Sequence, residues 1–153
     1  MSKYKIFLLL GLVVVILTGC SNTFAKKEYY DADKIVETED RYAKENSVLN
    51  PIDNGYSLEV KKYDGRQTLW TETLEESEDI NVEIKLSLSE GTVKLVHVDE
   101  DGHVTTIIEC TPDNCEEKSV VKTVSLKKGL NKIKIVGYKC ENIDLELFSP
   151  DFE

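Results

Sequence analysis

The chain has 153 residues, enough for one domain, and its net charge is −10. An acidic surface repels phosphate backbones, so this charge argues against nucleic-acid binding. The function classes that remain are a binding or accessory module, a structural interaction domain and an enzyme.

The N-terminal segment has the parts of a secretory signal peptide. Lys3 and Lys5 supply the positive charge, and the apolar run over residues 6–17 is interrupted only by Gly11. A run of this length is typical of a signal peptide and is short for a membrane-spanning helix.

The apolar run ends in an aliphatic residue, two small residues and a cysteine, which are Leu17, Thr18, Gly19 and Cys20. This pattern resembles the lipobox of bacterial lipoproteins. The resemblance implies that residues 1–19 are a lipoprotein signal peptide and that Cys20 carries a diacylglycerol. Two acyl chains anchor a protein stably, so the expected location is the extracytoplasmic face of the cell membrane. An ordinary signal peptide or an uncleaved anchor helix is the alternative.

Residues 20–50 are polar and charged, and their sparse apolar residues form no sustained stripe. This composition predicts a lipidated N-terminus followed by a flexible tether, with a short helix over about residues 32–45 as an alternative. Asn50-Pro51 and Asp53-Asn54-Gly55 are strong turn formers. The folded domain is therefore predicted to span residues 51–153.

From Tyr56 onward, apolar and polar residues alternate. The clearest run is residues 80–88, and the same pattern recurs at 56–60, 133–135 and 143–147. Alternation with period two is typical of half-buried strands. With turns expected at Asp64-Gly65 and at residues 139–142, among others, the pattern predicts an all-β fold. We expect an antiparallel β-sandwich of about eight strands.

The stretch at residues 126–137 resembles the last hairpin of jelly-roll modules with a galactose-binding-like fold. It contains Gly129 and then Asn131-Lys132-Ile133-Lys134-Ile135-Val136-Gly137. The resemblance implies a jelly-roll-like sandwich. That family includes many carbohydrate-binding modules and many non-binders, so a shared fold does not identify a ligand.

Cys110 and Cys115 flank a four-residue turn that we interpret as the end of a hairpin. Facing residues there lie within disulfide distance, and an extracytoplasmic location is oxidising. We therefore predict a Cys110–Cys115 disulfide. Pairings that involve Cys140, a redox-active pair and a zinc site built from all three thiols are alternatives that the spacing favours less.

Two further groups of residues are candidate ligand sites. The acidic hairpin with His97, Asp99, Asp101 and His103 has the ligand types of a cation site, but it lacks the spacing of an EF-hand loop. Ordinary turn chemistry also explains these residues.

Trp70, with Glu72 nearby, has the chemistry of a sugar-binding surface, a flat apolar platform beside a hydrogen-bonding group. A tryptophan packed between two sheets is the interpretation that we favour.

The sequence gives little support to a catalytic function. The sequence has no Gly-x-Ser-x-Gly, no His-Glu-x-x-His and no phosphate-binding glycine loop. We therefore expect no catalytic residue and no cofactor. The predicted function is that of a membrane-anchored module that binds an envelope glycan or protein, with a purely structural protein–protein interaction domain as the alternative.

Overall fold

The computed structural model describes residues 24–115 and 118–152, so the predicted signal peptide and Cys20 lie outside the described residues. Residues 24–30 are helical (α1), and a short helix α2 follows at Ala32–Ile35. Among the described residues, no helix is long and apolar enough to cross a membrane. The strands are β1 Arg41–Ile52, β2 Gly55–Leu74, β3 Glu78–Ser87, β4 Glu90–Val98, β5 Val104–Cys110, β6 Val120–Leu126 and β7 Gly129–Phe148.

The strands β2 and β7 form the backbone of the fold. They pair antiparallel along their full length, from Gly55 opposite Phe148 to Leu74 opposite Gly129. At one end of this ribbon β1 pairs with β2, and β3 joins β7 to β6. At the other end β4 joins β7 to β5. The two ends form two layers, which confirms the predicted all-β antiparallel sandwich.

The core lies between these layers and follows the predicted alternation. Ile80, Val82 and Ile84 on β3 are at most 3% exposed, while the residues between them are exposed. They belong to one buried cluster with Val93 and Leu95 on β4 of the other layer. Full burial of each such side chain contributes roughly 1.5–3 kcal/mol relative to an exposed position.

The turns predicted at Asp64-Gly65 and at residues 139–142 are not chain reversals. β2 and β7 run through these points as continuous strands of 20 residues each. Gly65, Lys139 and Asn142 have φ of 108°, 53° and 51°, and the β2–β7 register shifts between Tyr63 and Gly65. Turn-forming residues therefore bend the ribbon here, and the structure has seven strands where we predicted about eight.

The prediction of a flexible tether over residues 20–50 is wrong for the part of that stretch that the structure describes. Residues 24–35 are largely helical, and β1 pairs with β2 from Arg41 to Ile52, across the predicted domain start at residue 51. β1 is almost entirely exposed, so main-chain hydrogen bonds hold it rather than apolar burial. A hydrophobic pattern cannot indicate a strand of this kind.

Candidate functional site

The N-terminal segment, defined here as residues 24–40, covers the outer face of the β4–β7 layer. Tyr29 and Ile35 pack there against Val96, Val98 and Val136 in a second buried cluster. The sequence of α1 explains its orientation, since Ala25 and Tyr29 are one helical turn apart and both are buried. The opposite face of α1 is therefore turned to solvent.

Two buried cations on the same sheet face fix the segment in place. Arg66, 1% exposed, forms ion pairs with Glu28 and Glu37. Lys134 is fully buried, and its Nζ donates to the main-chain oxygen of Glu37 at 2.6 Å. Burial lowers the pKa of Lys134 to about 8, because the charged form loses hydration. These side chains clamp residues 28–39 to β2 and β7.

A cleft of about 770 Å³ lies where the solvent face of α1 meets β7. Tyr30 is its most prominent wall and is 63% exposed. The cleft is lined by Lys26, Lys27, Tyr30, Asp31, Ala32, Tyr138 and Lys139.

Tyrosine rings form one wall of the cleft, and their positions are fixed from below. Tyr30 meets Tyr138 edge to face with centroids 6.1 Å apart, and meets Tyr29 at 4.9 Å. The Tyr29 hydroxyl contacts Thr92 Oγ1 at 2.8 Å and donates to the carboxylate of Glu109. Burial raises the pKa of Tyr29, so this phenol stays protonated and remains a donor. The exposed Tyr30 ring and the half-buried Tyr138 ring therefore rest on a hydrogen-bonded support.

A β-bulge carries the other wall. Tyr63 faces Cys140 and Gly65 faces Gly137, so Tyr138 and Lys139 are the extra residues opposite Asp64. The Asp64 carboxylate accepts a hydrogen bond from the Lys139 main-chain nitrogen at 2.6 Å. Bulges re-aim side chains, and this one places Tyr138 and Lys139 beside α1.

The cleft is locally basic although the chain is acidic. None of the ion pairs between described residues uses Lys26, Lys27 or Lys139. Lys139 Nζ instead lies 5.4 Å from the centroid of the Tyr138 ring. Three ammonium groups beside two tyrosines can therefore bind a ligand that combines an apolar ring face with an anionic group.

Trp70 is buried rather than exposed. It is 4% exposed and stacks on Phe152 with ring centroids 5.0 Å apart, while Glu72 is half-buried. This position agrees with the core interpretation and removes Trp70 as a sugar-binding platform. The ligand site predicted at Trp70 and Glu72 is therefore corrected to a core position and a neighbouring half-buried carboxylate.

The predicted cation site is not assembled. His97 is buried on the core side, where its Nε2 lies 2.8 Å from Asn131 Oδ1. Asp99 instead accepts hydrogen bonds from His103 across the hairpin, and Asp101 is exposed. Within residues 24–115 and 118–152, no group of three or more metal-ligating side chains is present. The hairpin residues have the turn role that the sequence also allowed.

The predicted Cys110–Cys115 disulfide is not formed in the structure, where Cys110, Cys115 and Cys140 are free thiols. The hairpin that this prediction assumed is absent from the described strands, since Cys110 pairs with Val93 of β4 and β5 does not pair with β6. The Cys110 and Cys115 side chains are hydrogen-bonded, and burial raises the pKa of Cys115 and of Cys140 to about 12. These thiols are therefore protonated and weakly nucleophilic.

Sequence reasoning missed the cleft, because its parts lie more than a hundred residues apart. A usable signal was present in α1, where Ala25, Glu28 and Tyr29 share one helical face and Lys26, Lys27 and Tyr30 share the other. The sequence predicts a turn at residues 139–142, which includes Lys139, and it gives no role to Tyr138. Only the bulge geometry brings the two stretches together.

No family model and no curated protein matches the chain. Among solved structures, it resembles a family 29 carbohydrate-binding module complexed with mannohexaose, with a TM-score of 0.41 and 12% identity over 73% of this chain and 82% of that chain. It also resembles a family 35 carbohydrate-binding module from Clostridium thermocellum, with a TM-score of 0.33 and 12% identity over 79% and 96% of the two chains. At these scores, neither resemblance bears on what the chain binds.

Proposed function

We propose that this chain is a membrane-anchored extracytoplasmic module that binds an envelope glycan in the cleft between α1 and β7. The observation that carries the proposal is the juxtaposition of the exposed Tyr30 ring and the half-buried Tyr138 ring with three lysines that form no ion pair among the described residues. A pyranose presents an apolar C–H face and a rim of hydroxyls, which suits a tyrosine wall with polar groups around it. The cleft volume of about 770 Å³ lies within the range of small-ligand sites.

The lysines favour a glycan that carries phosphate or carboxylate groups. Lys26 and Lys27 lie on α1, and Lys139 faces them from the bulge, so an anionic group in the cleft is approached from two sides. Asp31 also lines the cleft, but its carboxylate already accepts a hydrogen bond from the Asp33 main chain at the start of α2.

The anchor in this proposal is a diacylglycerol on Cys20. Its support is the lipobox resemblance of residues 17–20, together with the apolar run before it. Mass spectrometry of the N-terminal peptide from the membrane fraction tests it. The expected result is a lipid-modified Cys20 at the mature N-terminus, and a Cys20→Ser variant that leaves the membrane fraction. An unmodified Cys20 in the membrane-bound protein would contradict it.

Substitution of Tyr30 tests glycan binding directly. In calorimetric titration of the detergent-solubilised chain with saccharides that carry phosphate, such as N-acetylglucosamine 1-phosphate, we expect Tyr30→Ala to weaken binding about tenfold, because one stacking surface is lost. Tyr42→Ala, at a tyrosine that is 41% exposed on β1, is the matched control and should bind like the wild type. Equal affinity of all three proteins would remove the cleft from consideration.

A second candidate function, protein–protein interaction, is favoured by the free edge of β1. This strand has 12 residues and pairs only with β2 among the described strands. Its side chains include Val48, 53% exposed, and Ile52, 42% exposed. An edge of this length can accept a strand from a partner protein. Photo-cross-linking from position 48 in cells should then capture one partner, and cross-linking from Val121, which is 64% exposed on β6, should not.

A further inference from the structure

We infer that the ligand of the cleft is borne by the membrane itself, as the sugar-phosphate headgroup of a lipid-linked saccharide. This inference rests on the proposed function and deepens it. It joins three observations: the position of α1 close to Cys20, the chemistry of the cleft, and the absence of any long tether between them.

The stretch of chain between Cys20 and α1 is short. Helix α1 already includes Phe24, and only residues 21–23 separate it from Cys20. Four peptide units span at most about 14 Å, and seven further helical residues add about 10 Å. A lipid on Cys20 therefore holds Lys26, Lys27 and Tyr30 within about 25 Å of its attachment point, even with the chain fully extended.

This short connection restricts the cleft to ligands close to the bilayer. The headgroup layer of a bilayer is several ångströms thick on each face. The acyl chains of a Cys20 diacylglycerol lie in the hydrocarbon core and hold Cys20 at the headgroup layer. A sandwich held this closely has its α1 end at the membrane surface. A long spacer of 30 residues, as the composition of residues 20–50 suggested, would have lifted the cleft away from the bilayer. The folded segment over residues 24–40 does not allow that separation.

The charge of the cleft is complementary to that of an anionic headgroup. Asp31 is the carboxylate in the cleft lining, against three lysines, and it accepts a hydrogen bond from the Asp33 main chain. Nearby, Glu28 pairs with Arg66, and Glu109 accepts a hydrogen bond from Tyr29. The lysine side chains of the cleft keep their charge available within a chain of net charge −10. The surface that the anchor brings to the membrane is thus locally positive, and it suits phosphate within a Debye length of about 8 Å.

The tyrosine wall favours a sugar-phosphate headgroup over an anionic lipid that carries no sugar. Lysines by themselves would bind any anionic headgroup. The tyrosine wall adds a flat, supported surface next to those lysines, with Tyr30 and Tyr138 at 6.1 Å. Such a wall gains nothing from a phosphate group, and it gains contact area from a saccharide ring. Sugar and phosphate on one membrane-borne ligand satisfy both parts of the cleft.

The test uses the full-length lipidated chain in nanodiscs, followed by hydrogen exchange measured by mass spectrometry. The nanodiscs contain phosphatidylcholine alone or with one added lipid: N-acetylglucosaminyl-diphospho-undecaprenol, phosphatidylglycerol, or neutral diglucosyl-diacylglycerol. We expect exchange of residues 24–31 and 137–140 to slow at least tenfold with the first added lipid. The lipid with charge only and the lipid with sugar only should each give less than threefold slowing.

Charge reversal provides the matched control. The variant with Lys26→Glu, Lys27→Glu and Lys139→Glu should lose the slowing, because about 100-fold in affinity is expected from three lysines at an anionic surface. The variant with Lys61→Glu, Lys122→Glu and Lys128→Glu changes the same charge at exposed positions outside the cleft and should keep it. Tyr30→Ala, which leaves the charges unchanged, should lose the slowing as well.

The outcomes separate this inference from the proposed function. Binding of free N-acetylglucosamine 1-phosphate in the cleft without slowing by the lipid-linked form would overturn the inference and leave the glycan module. Equal slowing by phosphatidylglycerol would replace the saccharide ligand with a plain anionic membrane surface and overturn it too. No response of the cleft to any saccharide, free or lipid-linked, would overturn both.

Discussion

At the scale of single residues, the molecule depends on charges buried outside its apolar core. Arg66 and Lys134 lie on the outer face of a sheet, where a soluble sandwich usually exposes polar side chains to water. Their partners, Glu28, Glu37 and the Glu37 main-chain oxygen, all come from the N-terminal segment. The segment therefore both buries these two cations and supplies their partners, so it packs as part of the domain.

Removal of Arg66 should cost far more than removal of its exposed neighbour. We expect Arg66→Met to lower the free energy of unfolding by about 3–5 kcal/mol, because Glu28 remains buried without its partner. Arg41→Met is the control, since Arg41 lies 3.8 Å from the same carboxylate but its side chain is 63% exposed. That change should cost less than about 1 kcal/mol. Equal shifts of the two urea midpoints would contradict the account.

Burial of Lys134 should make the folded protein more stable as the pH becomes alkaline. Its pKa falls from 10.5 to about 8 in the folded state, mainly through burial, so between these values the unfolded chain binds more protons. The free energy of unfolding should therefore rise with pH from about 8 to about 10.5, by roughly 2–3 kcal/mol. The gain should be seen as a difference between the wild type and Lys134→Met, since buried thiols with a raised pKa act in the opposite direction over part of that range. Parallel pH curves for the two proteins would contradict it.

At the scale of elements, the β7 bulge is the feature that makes a site out of a strand. It carries two consecutive cleft residues at one of the two register shifts in the β2–β7 pairing, and β4 accommodates it with Gly91 at φ 86°. A Cβ at Gly91 would lie 2.2 Å from the Lys139 main-chain oxygen. Glycine is required there for both the conformation and the close approach.

Substitution of Gly91 should disturb stability and binding together. We expect Gly91→Ala to cost about 2 kcal/mol or more in unfolding free energy and to weaken saccharide binding, because the bulge must move. Gly102→Ala is the matched control. Its φ is 80°, but its Cβ would meet only Val36, at 3.8 Å, so it should cost about 1–2 kcal/mol and leave binding unchanged. Unaltered binding by Gly91→Ala would show that the bulge does not shape the cleft.

The same elements show what can be predicted from sequence. β3 was predictable, because Ile80 to Leu88 alternates against a buried core and its register follows from that burial. β1 was not, since its stability comes from main-chain pairing with β2 and its side chains carry no apolar period. The cleft was not either, because Lys139 belongs to a stretch with the composition of a turn, residues 139–142, and only tertiary pairing places it in a bulge.

At the scale of the whole molecule, an acidic sandwich presents one basic, aromatic cleft close to its N-terminus. The overall charge of −10 argued against binding to anionic partners, and the distribution of that charge reverses the argument locally. The buried ionic clamp, the tyrosine wall and the bulge all converge on the same end. A protein anchored through Cys20 would hold that end close to the membrane.

Chemical-shift mapping by NMR would show directly whether the cleft between α1 and β7 binds a sugar phosphate. The isotopically labelled full-length chain in nanodiscs would be titrated with N-acetylglucosamine 1-phosphate. The account predicts saturable shifts confined to residues 26–31, residues 138–139 and their neighbours on β4, with no shifts along β1. Shifts along Arg41–Ile52 alone, or no saturable shift in the cleft, would contradict it.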